Sequence, residues 1–466
     1  MENASNLLCL KRTFHIAWPV IFENIMISMA QFINTGMVGS LGKNATAAVA
    51  INTTTTWFLN ALPLIFSVSG TAFVAQKIGA GEREDANKIA SNVILFGFAT
   101  SIAIWILMRS IAGSVPVWMG AEEAIIPASA LYMQTYVHGV VFAFMSVVAS
   151  GLLRGAGNTS TPMLVSFTAN IVNVFVNFFT IYETRVMNLT LFGHKLSMNV
   201  FGLNLGVTGA AIGTVTAQVI TGSVMVWLVF RKKSIIRARF SQMLHPDLKL
   251  LKQLLIVGLP ASLERISLSA GQIVYQRMIT GLGTAQIAAH SLAITAESIS
   301  YMPAAGLGIA ATTLVGQSLG AKKKDDALAY SRIGIISSLI MGALCGVLFF
   351  FGSTFLLSLF TQDPEIIREG AAVIRIIAFV EPIFSMSYVL VGIMRGAGDA
   401  RVPFVAALIG MWGVRLLSTH ILMNIFHFGL PGAWVSMGVD IFLRTVFLYQ
   451  RYRKRNWLHF ALFDKP

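Results

Sequence analysis

The chain has 466 residues, 55% hydrophobic and only 12% charged, with a net charge of +14. A soluble domain carries about 25% charged residues, and this composition would leave large apolar patches bare in water, so a soluble fold is excluded. Nucleic-acid binding, the usual reading of a basic chain, is excluded too, because the basic residues fall between long apolar runs.

A membrane span needs about 20 apolar residues. Twelve spans are expected in chain order: 13–39, 46–78, 86–113, 124–152, 160–182, 206–230, 250–279, 286–319, 327–357, 366–394, 402–424 and 431–450. The segment before the first span, with Lys11 and Arg12, reads as a retained lead-in without a cleavage site. Connectors assigned alternately to two sides differ sharply in charge. One side collects Lys11, Arg12, Lys77, Arg83, Lys88, Arg154, Arg231, Lys232, Lys322, Lys323, Lys324, Arg395, Arg401 and Arg451 to Arg455. The other holds little beyond Lys43, Arg185, Lys195 and Arg368. Basic connectors resist translocation, so the rich side is expected to be cytoplasmic, with both termini there and the chain in the cell (inner) membrane.

The chain also repeats itself. At a separation of 241 residues, Pro19 matches Pro260, Glu23 matches Glu264, Gln31 matches Gln272, and Gln76 and Gly79 match Gln317 and Gly320. Arg154 to Gly157 matches Arg395 to Gly398, and Pro162 matches Pro403. Register is lost over 181–205, an extra stretch in the first copy. Six spans per copy make the repeat parallel, with a cleft between copies near the bilayer midplane. The expected fold class is an all-α integral membrane protein of twelve transmembrane helices in two parallel six-helix repeats. Its expected parts are a first lobe at 1–230, a basic cytoplasmic linker at 231–249 and a second lobe with a basic tail at 250–466.

The stretches Arg154-Gly-Ala-Gly-Asn-Thr-Ser-Thr-Pro162 and Arg395-Gly-Ala-Gly-Asp-Ala-Arg-Val-Pro403 resemble the paired signatures of the multidrug and toxic compound extrusion (MATE) family. Thr35-Gly-Met-Val-Gly39 and Val315-Gly-Gln-Ser-Leu-Gly320 resemble its helix 1 and helix 8 endings. The resemblance implies a V-shaped pair of six-helix lobes and export by alternating access, driven by protons or sodium. It also implies an N-lobe cation site, but here Asn34 stands where the family commonly has Asp in helix 1. Asn173 and Asn177 stand where it often has an Asn-x-x-x-Asp pair in helix 5. With amides in place of acids, ion coupling is expected in the second lobe. Leu268 replaces the helix 7 Glu of one branch, and Glu264 fits the Pro-Ala-x-Leu-Glu-Arg pattern of another.

Ionisable residues at membrane depth cost about 2.5–3.5 kcal/mol each and are functional candidates by default. Glu23 lies eleven residues past Arg12 and Glu264 twelve past Lys252. At 1.5 Å per residue those are depths of about 16 and 18 Å in a core about 30 Å thick. Each follows its proline by four residues, and Glu381 precedes Pro382. Glu264, Glu381 and Glu23 are therefore the candidates for cation coupling and substrate binding. A first-lobe polar cleft is expected from Gln31, Asn34, Asn173 and Asn177. A supporting charge network is expected from Glu297, Arg415, Asp440 and Arg444, with Arg265 joining it. Met26, Met29 and Met37 fit either an adaptable apolar wall or core packing.

No nucleotide, metallohydrolase or serine-hydrolase motif is present, so the expectation is a transporter, not an enzyme. Cys9 and Cys345 supply no metal spacing. No cofactor is expected beyond a coupling proton or sodium ion. The expected partners are a small-molecule substrate and membrane lipid, without nucleic acid, for a monomer. The expected activity is secondary export of small amphipathic, cationic compounds. The rival reading is a flippase for a lipid-linked precursor, disfavoured because the deep charges are mixed rather than cationic.

Overall fold

The computed structural model describes residues 2–191, 194–232 and 234–459. The apolar runs form helices in the expected order. They are α1 (Glu2–Gly39), α2 (Lys43–Gly79), α3 (Arg83–Ile111), α4 (Ile126–Val137 with Val140–Gly155), α5 (Ser160–Thr180) and α6 (Gly206–Phe230). The second copy supplies α7 (Leu248–Ile279), α8 (Thr284–Gly320), α9 (Lys324–Ser358), α10 (Pro364–Ala378 with Glu381–Ala397), α11 (Arg401–Ile425) and α12 (Gly429–Arg453). Among the described residues, α1 to α11 are long and apolar enough to cross a membrane when each bent pair counts as one span. Helix α12 is as long as α6 but carries Asp440, Arg444, Arg451 and Arg453, which lower its hydropathy.

Several spans that the sequence presents as continuous are broken. Helix α2 is interrupted at Ile51–Asn52 and at Leu62–Pro63. Proline has no N–H to give the preceding turn, so the helix restarts at Pro63. Helix α4 bends by 48° and α10 by 56°. The second part of α10 opens with Pro382 in its first turn, where a fixed φ suits helix initiation. Helix α11 contains two π-helical stretches, Ile409–Arg415 and Ile421–Ile425. Such bulges concentrate at functional sites.

The extra stretch of the first copy is a hairpin, β1 (Glu183–Leu191) and β2 (His194–Leu203), paired antiparallel with Glu183 opposite Leu203. Its base is fixed by Arg185, whose guanidinium lies 4.0 Å from the Tyr182 ring centre and 4.6 Å from that of Phe178. Cys9 and Ile16 near one chain end share a core cluster with Leu448 and Trp457 near the other. Both ends therefore lie on one face, the terminal face. The hairpin joins the far ends of α5 and α6 on the opposite face.

The linker between copies is strapped to α3. Asn87 and Asn92 side-chain oxygens accept from the Arg237 and Asp247 amides at 2.7 and 2.9 Å, and Ser91 accepts from the Arg239 amide at 2.9 Å. Asp247 then caps α7 by accepting from the Leu250 amide at 3.0 Å. That hydrogen bond, with Lys88 nearby, holds the Asp247 carboxyl below its ordinary range. A folded value below the unfolded one stabilises above the ordinary carboxylate range and is lost as pH falls through the folded value. Asp247→Ala is expected to cost about 1 kcal/mol at neutral pH. The deficit should shrink in acid, as read by thermal unfolding in detergent at the two pH values.

Candidate functional site

Helices α2 and α8 interlock near the terminal face. Burial is dense from Phe66 to Gln76 in α2 and from Met302 to Leu319 in α8, and sparse in their opposite halves. At the crossing, a Cβ on Gly79 would lie 1.9 Å from the Gln317 carbonyl oxygen. A Cβ on its repeat mate Gly320 would lie 1.8 Å from the Gln76 carbonyl oxygen. The two glutamines bond across the copies: Gln76 Nε2 donates to Gly396 O and Gln317 Nε2 to Gly155 O, each at 3.1 Å. The repeat is thus a near two-fold interlock at the level of single atoms. Thr313 adds a bond to Arg154 O at 3.0 Å, with Ala72 at the mate position.

The paired signature motifs explain the next layer. Gly157 and Gly398 end α4 and α10 in left-handed turns with φ of 88° and 90°, which glycine adopts without steric cost. These turns follow Arg154 and Arg395. Arg154 Nη2 reaches Glu23 Oε2 at 2.7 Å, and Arg395 Nη2 reaches Glu264 Oε2 at 2.9 Å. Ser166 adds a hydrogen bond to Glu23 at 2.9 Å. Both carboxylates are buried, so each tie joins helix 1 or 7 to the end of its lobe's fourth helix. Arg395→Ala would strand buried Glu264 and is expected to cost about 3–5 kcal/mol. Arg395→Ala with Glu264→Gln should recover part of that loss in detergent melting curves.

The first-lobe amides meet as a chain. Asn34 Nδ2 donates to Asn173 Oδ1 at 2.7 Å, and Asn177 Nδ2 donates to Asn34 Oδ1 at 2.8 Å. The α6 backbone closes the third side, where a Cβ on Gly213 would meet Asn177 Oδ1 at 1.9 Å. Gln31 lies outside this chain and is exposed. Nothing in the triad can release a proton. Beside it, Met26, Met29, Ile33, Phe167 and Phe175 line a groove of about 410 Å³ with Asn170.

The second lobe carries the charge. Asp440 is fully buried on α12 and accepts from Arg415 at 2.8 Å and from Arg444, one turn on, at 3.3 Å. A Cβ on Gly410 would press Asp440 Oδ1 at 2.2 Å. The π stretch ending at Arg415 places both groups against the same carboxylate. Glu297 is partly exposed on α8 and makes no ion pair among the described residues. Glu381, at the bend of α10, is fully buried, and neither carboxyl oxygen has hydrogen-bond geometry with any described residue. The Ser300 hydroxyl is close by but donates to the Glu297 carbonyl oxygen at 3.0 Å. Ser385, one turn along α10, is also buried with an unpaired hydroxyl.

Arg265 does not join the Asp440 network. It is exposed and forms no ion pair among the described residues. Sequence reasoning also passed over an aromatic cluster, in which Tyr388 lies 5.3 Å from Tyr301 and 5.2 Å from Phe384 between ring centres. The four-residue spacing of Phe384 and Tyr388 on one helix face was its available signal.

Comparison with known proteins fits this geometry. The MatE family model matches residues 19–179 and 260–421, two stretches that begin 241 residues apart like the repeat. The chain is 26% identical over 450 residues to a Thermotoga maritima protein named "Probable multidrug resistance protein NorM", covering 96% of this chain and 93% of that one. It is 27% identical over 451 residues to the Bacillus subtilis "Uncharacterized transporter YisQ", covering 96% and 94%. Among solved structures, a MOP superfamily transporter from Pyrococcus furiosus superposes with a TM-score of 0.86 at 18% identity, covering 98% of this chain and 97% of that one. A multidrug resistance MATE family transporter described as outward-facing superposes with a TM-score of 0.85 at 19% identity, covering 98% and 97%. These structural likenesses fix the fold: twelve helices in two lobes.

Proposed function

The chain belongs to the MatE family of multi-pass membrane transporters, and on that premise we propose that it is an ion-driven antiporter exporting small amphipathic compounds. The observation that carries the reading is Glu381. An enclosed carboxylate without a hydrogen bond among the described residues needs a proton or a bound cation to offset its charge, and Glu297 supplies a second acid on the facing helix. One negative site that accepts either a coupling ion or a cationic group of the substrate is the simplest exchanger. The first-lobe triad of amides offers no such group. The basic terminal face is read as cytoplasmic, so the interlock closes the cytoplasmic mouth and the cleft faces outward. Everted vesicles loaded with this protein should accumulate an amphipathic fluorescent cation when a proton gradient or a sodium gradient is imposed. Failure of both gradients, with ATP also absent, would remove the antiport reading.

A further inference from the structure

Arg265 is a guanidinium at membrane depth with no carboxylate partner among the described residues. Its neighbour in sequence, Glu264, is held by Arg395. Asp440 is held by Arg415 and Arg444. Arg265 makes no ion pair among the described residues, yet it lies thirteen residues past Lys252 along α7, about 20 Å into the membrane. A charge at that depth is tolerated where it faces water or a partner rather than lipid.

The helix face decides which. Seven residues span almost two full turns, so Arg265 lies on the face of Gly258. Gly258 is buried against α2, where a Cβ would sit 1.7 Å from the Ile65 carbonyl oxygen. That face of α7 looks at the other lobe. The far face, with Ile256, Leu259 and Leu263, is the exposed apolar one. Toward the hairpin face from the Gly258 contact the same inward face becomes more accessible, and Arg265 is exposed on it. The Tyr301–Tyr388–Phe384 cluster belongs to the same lobe, on α8 and α10. The repeat mate of Arg265 is Asn24, so the second lobe gained a positive charge that the first lacks.

We propose that Arg265 is a specificity-determining residue that binds an anionic group, a carboxylate or phosphate-like oxygen cluster, on the exported compound. Arginine is the side chain best matched to such groups, because its planar fork can bond two oxygens at once. The preferred substrates are then zwitterionic amphiphiles, with an acid group for Arg265 beside the cationic group that the export reading assigns to the second-lobe carboxylates. This rests on the export reading above and adds a substrate class to it.

The test uses two probes of one ring system in proteoliposomes of the full chain: a fluorescent aromatic amine bearing a carboxylate, and its ethyl ester. The ratio of carboxylate export to ester export is measured for native protein, Arg265→Gln and Arg265→Lys. The expected result is a ratio at least about tenfold lower in Arg265→Gln, partly restored in Arg265→Lys, which keeps the charge and loses the fork. An unchanged ratio in Arg265→Gln overturns the proposal, and so does equal loss of both probes in both variants, which marks a structural role. Failure of the native protein to export either probe under any gradient instead overturns the antiport reading. Binding of the two probes to native protein, Arg265→Gln and Arg265→Lys, by fluorescence anisotropy in detergent, would then still decide the role of Arg265.

Discussion

Gly79→Ala is expected to reduce export by about tenfold or more and to open the terminal face of an otherwise folded protein. The new methyl would fall 1.9 Å from the Gln317 carbonyl oxygen. That oxygen belongs to a helix backbone and cannot swing aside as a side-chain tip would. Gln317 is further tied to Gly155 O, so relief requires α2 and α8 to part. Overpacking a tight contact costs about 1–3 kcal/mol, which shifts a two-state equilibrium by about 5- to 150-fold. Gly320→Ala should act alike, because its methyl would meet Gln76 O at 1.8 Å. Spin labels at Ala80→Cys and Ala321→Cys, with Cys9 and Cys345 replaced, should report a longer distance in either variant. Gly36→Ala is the control, since nothing lies within 4 Å of a Cβ there. Unchanged label distances and unchanged export in both variants would show that the interlock does not limit the cycle.

Glu381→Gln is expected to abolish accumulation against a gradient without lowering the melting temperature. Its two carboxyl oxygens are buried and have no hydrogen bond among the described residues, so the exchange removes an ionisable group and breaks no contact. A residue kept at a stability cost is the mark of a functional site. The contrast is Arg395→Ala, where a buried ion pair is broken and stability falls. If Glu381→Gln instead melts early and transports normally, Glu381 is part of the packing and not of the coupling.

The repeat was legible because it is written in side chains at a constant separation, and helix packing preserved it. The same two carboxylates are held by the same two arginines, each pair 131 residues apart. That distance is why the pairing could not be read. Arg154 and Arg395 were visible as motif residues, but a partner on a distant helix leaves no local pattern. The amide substitutions at Asn34, Asn173 and Asn177 were visible individually, and their mutual hydrogen bonds were not. Helix breaks were half legible: Pro63 and Pro382 mark two of them, while the π stretches of α11 follow from backbone bonding that composition does not encode. The hairpin was seen only as loss of register over 181–205, since a strand pair of mixed polarity between spans resembles any polar connector.

On the proposed reading, coupling resides in the second lobe, at Glu297 and Glu381. The most direct measurement compares native protein with Glu297→Gln/Glu381→Gln in proteoliposomes, following an amphipathic fluorescent cation with a pH gradient alone and then with a sodium gradient alone. Native protein should accumulate the probe under one of the two gradients. The doubly substituted protein should let it equilibrate and never concentrate it. Equal accumulation by both proteins would contradict the claim and move the coupling ion to another part of the chain.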